Sequence, residues 1–182
     1  MKKIYFILSS NGSMLSRIIR IASHDEFSHV SIALDKELKE MYSFGRLNPY
    51  NPLFGGFVQE SPEFGTFKRF IDTTKVNIYS LEVTDFQYKK LRRKIKRIYK
   101  MKDKYKFNRL GLVLAKFRFK YKREERFYCS EFIKTLMDEF EIENNLPNVA
   151  KPEDFKEMDN TNLDYRGMLR DYRNYLKGVE YE

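Results

Sequence analysis

Apolar positions along this chain first bunch together, then alternate, and finally recur at helical spacing. Residues 3–9 form a short apolar run closed by Ser10-Asn11-Gly12-Ser13, which predicts a buried strand ending in a turn. Leu15, Ile18, Ile19 and Ala22 recur at helical spacing and predict a short helix. From 29 to 34 the period is two, with Val30, Ile32 and Leu34 on one face and His29, Ser31 and Ala33 on the other. Residues 35–39 read as a turn into a strand around 40–44. Residues 48–56, rich in Pro, Asn and Gly, read as a loop. Residues 57–60 and 76–83 read as further strands, the latter with Tyr79, Leu81 and Val83 on one side.

The second half changes period. Thr84 with Gln87 three residues on makes a capping box, and Val83 is placed to staple onto Tyr88. Tyr88, Leu91, Ile95 and Ile98 then form the buried stripe of a helix covered elsewhere by Lys and Arg. Residues 116–122 alternate basic and aromatic side chains, a strand-like period. A helix over 129–140 turns Phe132, Ile133, Leu136, Met137 and Phe140 inward. Pro152-Glu153-Asp154-Phe155 marks another helix start, and a last helix falls at 167–176. With strands first, helices later, and no repeat or long linker, the chain reads as one α+β domain spanning 1–182.

Composition narrows the chemistry. One cysteine excludes an internal disulfide framework, and two histidines leave no multi-histidine metal centre, so neither metal nor cofactor is expected. His24, beside Asp25 and Glu26, reads as an exposed helix-end residue. The longest apolar runs fall far short of the roughly 20 residues that span a bilayer. Residues 4–8 are also too short an apolar core for a secretion signal, which makes the cytoplasm the expected compartment. The net charge of +9 is uneven. Residues 88–126 hold 18 Lys/Arg against 3 acids, and the remainder holds 17 against 23. A local basic face therefore calls for an anionic partner only there. Phosphate-loop, dinucleotide and serine-elbow signatures are absent, which removes the commonest kinase, dehydrogenase and serine-hydrolase readings.

Three residues remain as candidates for chemistry. Cys129 opens a helix, where free backbone N–H groups and the helix dipole favour a thiolate and suit an oxyanion. His29 is a base on the less apolar face of its strand, and Glu60 is placed to orient it. Each also has an ordinary reading. Cys129 is in register with buried Phe132 and Leu136, His29 fits a structural histidine, and Glu60 fits a solvated acid. Tyr42, Phe44 and Tyr128 are candidates for the rim of a pocket, and the 48–56 loop for its lid.

At these residues the chain resembles a known family. Phe27-Ser28-His29-Val30-Ser31-Ile32-Ala33-Leu34, Val58-Gln59-Glu60-Ser61 and Phe127-Tyr128-Cys129-Ser130-Glu131-Phe132-Ile133 are similar to the permuted papain-like amidases, the YiiX-like and YycO-like branch of the NlpC superfamily. The order His, acid, Cys is the telling feature, because unpermuted relatives present the cysteine first. The resemblance implies a circularly permuted papain-like α+β fold, with a small antiparallel sheet packed on helices and the nucleophile at a helix N-terminus. It implies Cys129 as nucleophile, His29 as base and Glu60 as third member, with Ser130 and Tyr128 beside the oxyanion and substrate. A thiol hydrolase acting on a small peptide, amide or acyl substrate follows, an anionic one being compatible with the basic face. Two alternatives stay open: a thiol acyltransferase or lipase at an anionic membrane surface, and a non-catalytic basic module binding nucleic acid or other anions.

Overall fold

Strands with large side chains on both faces need a covering layer on each, and this sheet has two. A computed structural model describes residues 1–11, 25–115, 117–121 and 123–178, and of Pro52 and Leu53 the backbone alone. Its described strands are β1 (Lys2–Ser10), β2 (His29–Ala33), β3 (Met41–Asn48), β4 (Asn51–Glu60), β5 (Lys75–Val83), β6 (Lys106–Phe107), β7 (Arg126–Phe127) and β8 (Thr161–Met168). They form one open sheet in the order β7-β6-β4-β3-β2-β1-β5-β8, antiparallel except between β6 and β7. Its described α-helices are α1 (Gly65–Arg69), α2 (Asp85–Lys100), α3 (Arg109–Ala115), α4 (Cys129–Glu139) and α5 (Tyr172–Leu176). The architecture is mixed α+β.

On one face, Phe6, Leu8, Val30, Ile32 and Leu81 meet Leu91, Ile95 and Ile98 of α2 and Phe132, Ile133, Leu136 and Met137 of α4. On the other, Tyr5, Ile7, Ala33, Met41 and Ile78 meet Phe67 of α1 together with Leu169 and Tyr172. The alternation read from residues 29–34 and 76–83 is therefore the division between these two layers. Helix α2 starts at the expected capping box: Thr84 Oγ1 accepts from Gln87 N–H at 3.1 Å, and Gln87 Oε1 accepts from Thr84 N–H at 3.0 Å. A cap of this kind stabilises by about 1 kcal/mol.

Three sequence expectations need correction. The 48–56 segment is not a lid loop: β3 and β4 form a hairpin in which Asn48 pairs with Asn51, Arg46 with Gly55 and Gly45 with Gly56. The glycines mark the close approach of a neighbouring segment. A Cβ at Gly55 would lie 2.9 Å from Phe107 Cβ, and one at Gly56 would lie 3.2 Å from the Tyr105 carbonyl oxygen. The basic and aromatic stretch after α3 is no strand where described. Phe119 N–H bonds to Leu114 O and Arg118 N–H to Ala115 O, with Arg118 at φ 59°, so this is a left-handed helix ending. At the C-terminal end, residues 161–168 form edge strand β8, a 3-10 turn follows at Leu169–Asp171, and α-helix starts only at Tyr172. The predicted helix around 15–22 and His24 lie outside the described residues.

Candidate active site

The sheet parts at the site. Strands β1 and β2 stay paired from Tyr5↔Ala33 to Ser9↔His29, whereas β2 and β3 share only Ile32↔Tyr42 and Ala33↔Met41. Beyond those pairs β3 continues with β4 alone, and the N-terminal half of β2 is left open on that side. The N-terminus of α4 occupies this opening. Phe132, one turn into α4, is locked among Phe44, Phe57 and Phe127 at ring-centroid distances of 5.2, 5.3 and 6.1 Å. Burying such a ring stabilises by about 1.5–3 kcal/mol. This packing sets the height of Cys129, one turn earlier, against β2.

His29, Ser31 and Glu60 share the opposite face. Strand parity puts His29 with Ser31, and the Met41↔Glu60 register brings the end of β4 beside them. His29 Nε2 lies 3.2 Å from Glu60 Oε1 and 3.4 Å from Oε2. The Ser31 hydroxyl donates to Glu60 Oε2 at 2.6 Å. With Nε2 committed to the carboxylate, Nδ1 is the ring nitrogen left for the Cys129 sulfur, which acts on the imidazole as a neighbouring acceptor.

Burial opposes every charge in this chain of groups, and the neighbours outweigh it. For His29, burial lowers the pKa, but the Glu60 charge and the Cys129 sulfur push it up to about 10 from an ordinary 6.5. For Cys129, burial raises the pKa, while the His29 hydrogen bond and charge and the backbone N–H groups of Val30 and Ser130 bring it below the ordinary thiol range. The Val30 N–H is free for this because the β2–β3 ladder has already ended. Glu60, also raised by burial, is held below its ordinary value by His29 and Ser31. All three shifts run toward a thiolate–imidazolium pair backed by a carboxylate.

A cavity of about 370 Å³ opens on this group, with His29, Glu60 and Cys129 in its wall. Phe44, Phe67, Phe107, Leu112 and Val113 make its apolar surface, and Arg46 and Arg109 bring positive charge. No family model, curated protein or solved structure matches the chain. The chemistry of the site rests on its own geometry.

The remaining candidates fall unevenly around it. Ser130 is fully buried and donates its hydroxyl to the Ala150 carbonyl at 2.8 Å, so only its backbone N–H faces the sulfur. Tyr128 packs with Ala115 and Val149, and its side chain is not part of the cavity wall. Of the predicted rim residues, Phe44 lines the cavity. Tyr42 is wholly buried and accepts from Lys96 Nζ at 2.8 Å. Sequence reasoning missed Phe67, Phe107, Arg46 and Arg109, whose place at the cavity depends on tertiary packing. Part of the basic face is already compensated, since Glu40 pairs with Arg92 and Lys96 and Glu139 with Lys94. Among the described residues no His/Cys/Asp/Glu cluster suits a metal ion, and no helix is long and apolar enough to cross a membrane.

Proposed function

We propose that this protein is a thiol hydrolase that cleaves an amide or peptide-like bond, built as a circularly permuted papain-like domain of the NlpC superfamily. One observation carries the reading: the imidazole stands 3.2 Å from a buried carboxylate and shares the wall of an open cavity with the sole cysteine. In this mechanism the Cys129 thiolate attacks the substrate carbonyl carbon. Backbone N–H groups at the α4 N-terminus receive the oxyanion. The His29 imidazolium gives its proton to the leaving nitrogen as the C–N bond breaks, which leaves a thioester on Cys129. His29, now neutral, takes a proton from water, and the resulting hydroxide releases the acid and restores the thiolate. Glu60 keeps the ring oriented and its charge balanced throughout.

The sole cysteine makes the test direct. Iodoacetamide should label Cys129 rapidly well below the ordinary thiol pKa of about 8.5, and His29→Ala should slow that labelling. Cys129→Ser should abolish turnover of whichever amides the wild type cleaves. An ordinary thiol pH profile, indifferent to His29→Ala, would sink the proposal.

A specific feature favours a second reading, acyl transfer or lipolysis at a membrane surface by the same groups. Leu110 and Val113 of α3, and Phe117 and Phe119 beyond it, are 48–65% exposed, and α3 lines the cavity. Flotation with vesicles containing anionic lipid separates the two, since a hydrolase of soluble amides stays behind.

A further inference from the structure

Glu60 starts on β4, and the imidazole that it meets belongs to β2, with β3 between them. Adjacent strands lie about 4.8 Å apart, so the carboxylate reaches His29 only by passing over the β3 backbone. Counting on from the Ile32↔Tyr42 pair, Ser31 falls level with Ser43 and His29 with Gly45. The crossing therefore runs over one small residue and one with no side chain. A Cβ at Gly45 would stand 3.1 Å from Glu60 Oε1 and 3.1 Å from Ser43 Oγ. That point is the gap between carboxylate and hydroxyl, and glycine keeps it clear.

The two hydroxyls at the crossing differ. Ser31 donates to Glu60 Oε2 at 2.6 Å. Oε1 is the oxygen nearer His29 Nε2, and it is the one beside Gly45. A carboxylate oxygen accepts at two positions, so Oε1 has room for a donor besides the imidazole. Ser43 Oγ is fully buried and has no hydrogen-bond partner of ordinary geometry among the described residues. Such a hydroxyl costs stability unless something accepts from it. Burial raises the Glu60 pKa, and His29 with the Ser31 and Ser43 hydroxyls brings it below its ordinary value.

We infer that Ser43 and Gly45 are positioning residues for Glu60: Gly45 holds open the passage over β3, and the Ser43 hydroxyl turns into it to donate to Oε1. With one hydroxyl on each oxygen, rotation of the carboxylate is fixed and Oε1 stays turned to His29. The inference rests on the thiol-hydrolase reading, in which Glu60 orients the base, and adds two residues to that task.

Ser43→Ala removes the hydroxyl alone. Carbon-13 NMR of carboxyl-labelled glutamate follows Glu60, whose signal is the one missing in Glu60→Gln. The Glu60 pKa should rise by about one pH unit in Ser43→Ala, the share of one donor among the two or three that take a carboxylate below about 2. The urea midpoint should fall at unchanged slope, whereas removing a hydroxyl with no acceptor leaves it level or raises it. His29, Cys129, Arg46 and Arg109, the other ionisable groups of the cavity wall, are the same in both proteins. Gly45→Ala should push Oε1 off the imidazole, so Cys129 alkylation by iodoacetamide near pH 6 should drop severalfold while the rate near pH 10 holds. Ser43→Ala keeps the test readable if Gly45→Ala does not fold.

An unchanged Glu60 titration in Ser43→Ala, with a urea midpoint level or raised, overturns the inference, and rapid Cys129 labelling at low pH in that protein leaves the hydrolase reading intact. An unchanged alkylation profile in folded Gly45→Ala overturns the role of Gly45. The expected Glu60 shift beside wild-type labelling with an ordinary thiol pH profile supports the Ser43 contact and removes the hydrolase reading.

Discussion

Replacing Glu60 with Gln removes one charge from the site while preserving its shape. The amide oxygen can still accept from His29 Nε2 and from the Ser31 hydroxyl, so what is lost is the carboxylate charge 3.2 Å from the ring. At that distance, with an effective dielectric of about 20, the attraction is on the order of 5 kcal/mol, from which desolvation takes back a large part. An opposite charge in such a position typically moves a pKa by roughly one to three pH units, at 1.36 kcal/mol for each. The His29 value of about 10 should therefore fall by that amount toward 6.5 in the Glu60→Gln protein. The thiolate loses stability with its counter-charge, so the acid limb of Cys129 alkylation should move to higher pH. Rates near pH 6 drop, and rates near pH 10 stay as they were. Carbon-13 NMR of labelled histidine reads the imidazole directly, and with two histidines in the chain a His24→Gln protein completes the assignment. A His29 titration unchanged or raised in Glu60→Gln would refute the electrostatic account of this site.

Three further outcomes follow from the geometry. Ser31→Ala removes a fully buried donor from a charged acceptor and should cost about 1.5–3 kcal/mol, seen as a lower urea midpoint with unchanged slope; a change within a few tenths would show that Glu60 has another partner. Gly111→Ala should destabilise by about 1–2 kcal/mol despite the roughly 1 kcal/mol gain in helix propensity. Its Cβ would fall 2.2 Å from Asn108 Nδ2, displacing the side chain that accepts from the Gly111 N–H at 3.0 Å; a raised urea midpoint in the Gly111→Ala protein contradicts this. Stability should also be bounded on both sides in pH. The contribution of His29, whose pKa is raised on folding, is complete below 6.5 and lost as pH rises through about 10. That of Glu60, lowered on folding, is present above 4.5 and lost as pH falls through its folded value. Denaturant midpoints across that range check both signs, and a midpoint indifferent to pH at both ends would argue against the buried pair.

What could be read from the chain was what depends on neighbours close in sequence. The two faces of β2, the capping box at Thr84 and the placement of Cys129 at the start of α4 are all local. So is the parity that puts Ser31 on the His29 face. The bond from Ser31 to Glu60 is not local, because it depends on the register of β4 against β3. The glycines at 55 and 56 misled for a physical reason: a residue without a side chain suits a turn and also suits a strand approached closely by Phe107 and Tyr105. Strand β8 was hidden because an edge strand in partial contact with solvent needs no apolar alternation. Arg46 and Arg109 resemble any other basic residue until β3 and α3 bring them to one cavity. The opening between β2 and β3, which gives Cys129 access to the Val30 N–H, has no signature in either strand alone.

That opening has a bearing on how the protein is made. His29 leaves the ribosome 100 residues ahead of Cys129, and the groups that lower the thiol pKa come from β2 and from the first turn of α4. A nascent or unfolded chain carries an ordinary, mostly protonated thiol at neutral pH. Reactivity appears only when α4 seats in the parted sheet, so activation of the nucleophile coincides with completion of the tertiary structure. The rate of Cys129 labelling during refolding would accordingly follow the docking of the two halves of the chain, and would separate that event from the earlier formation of strands and helices.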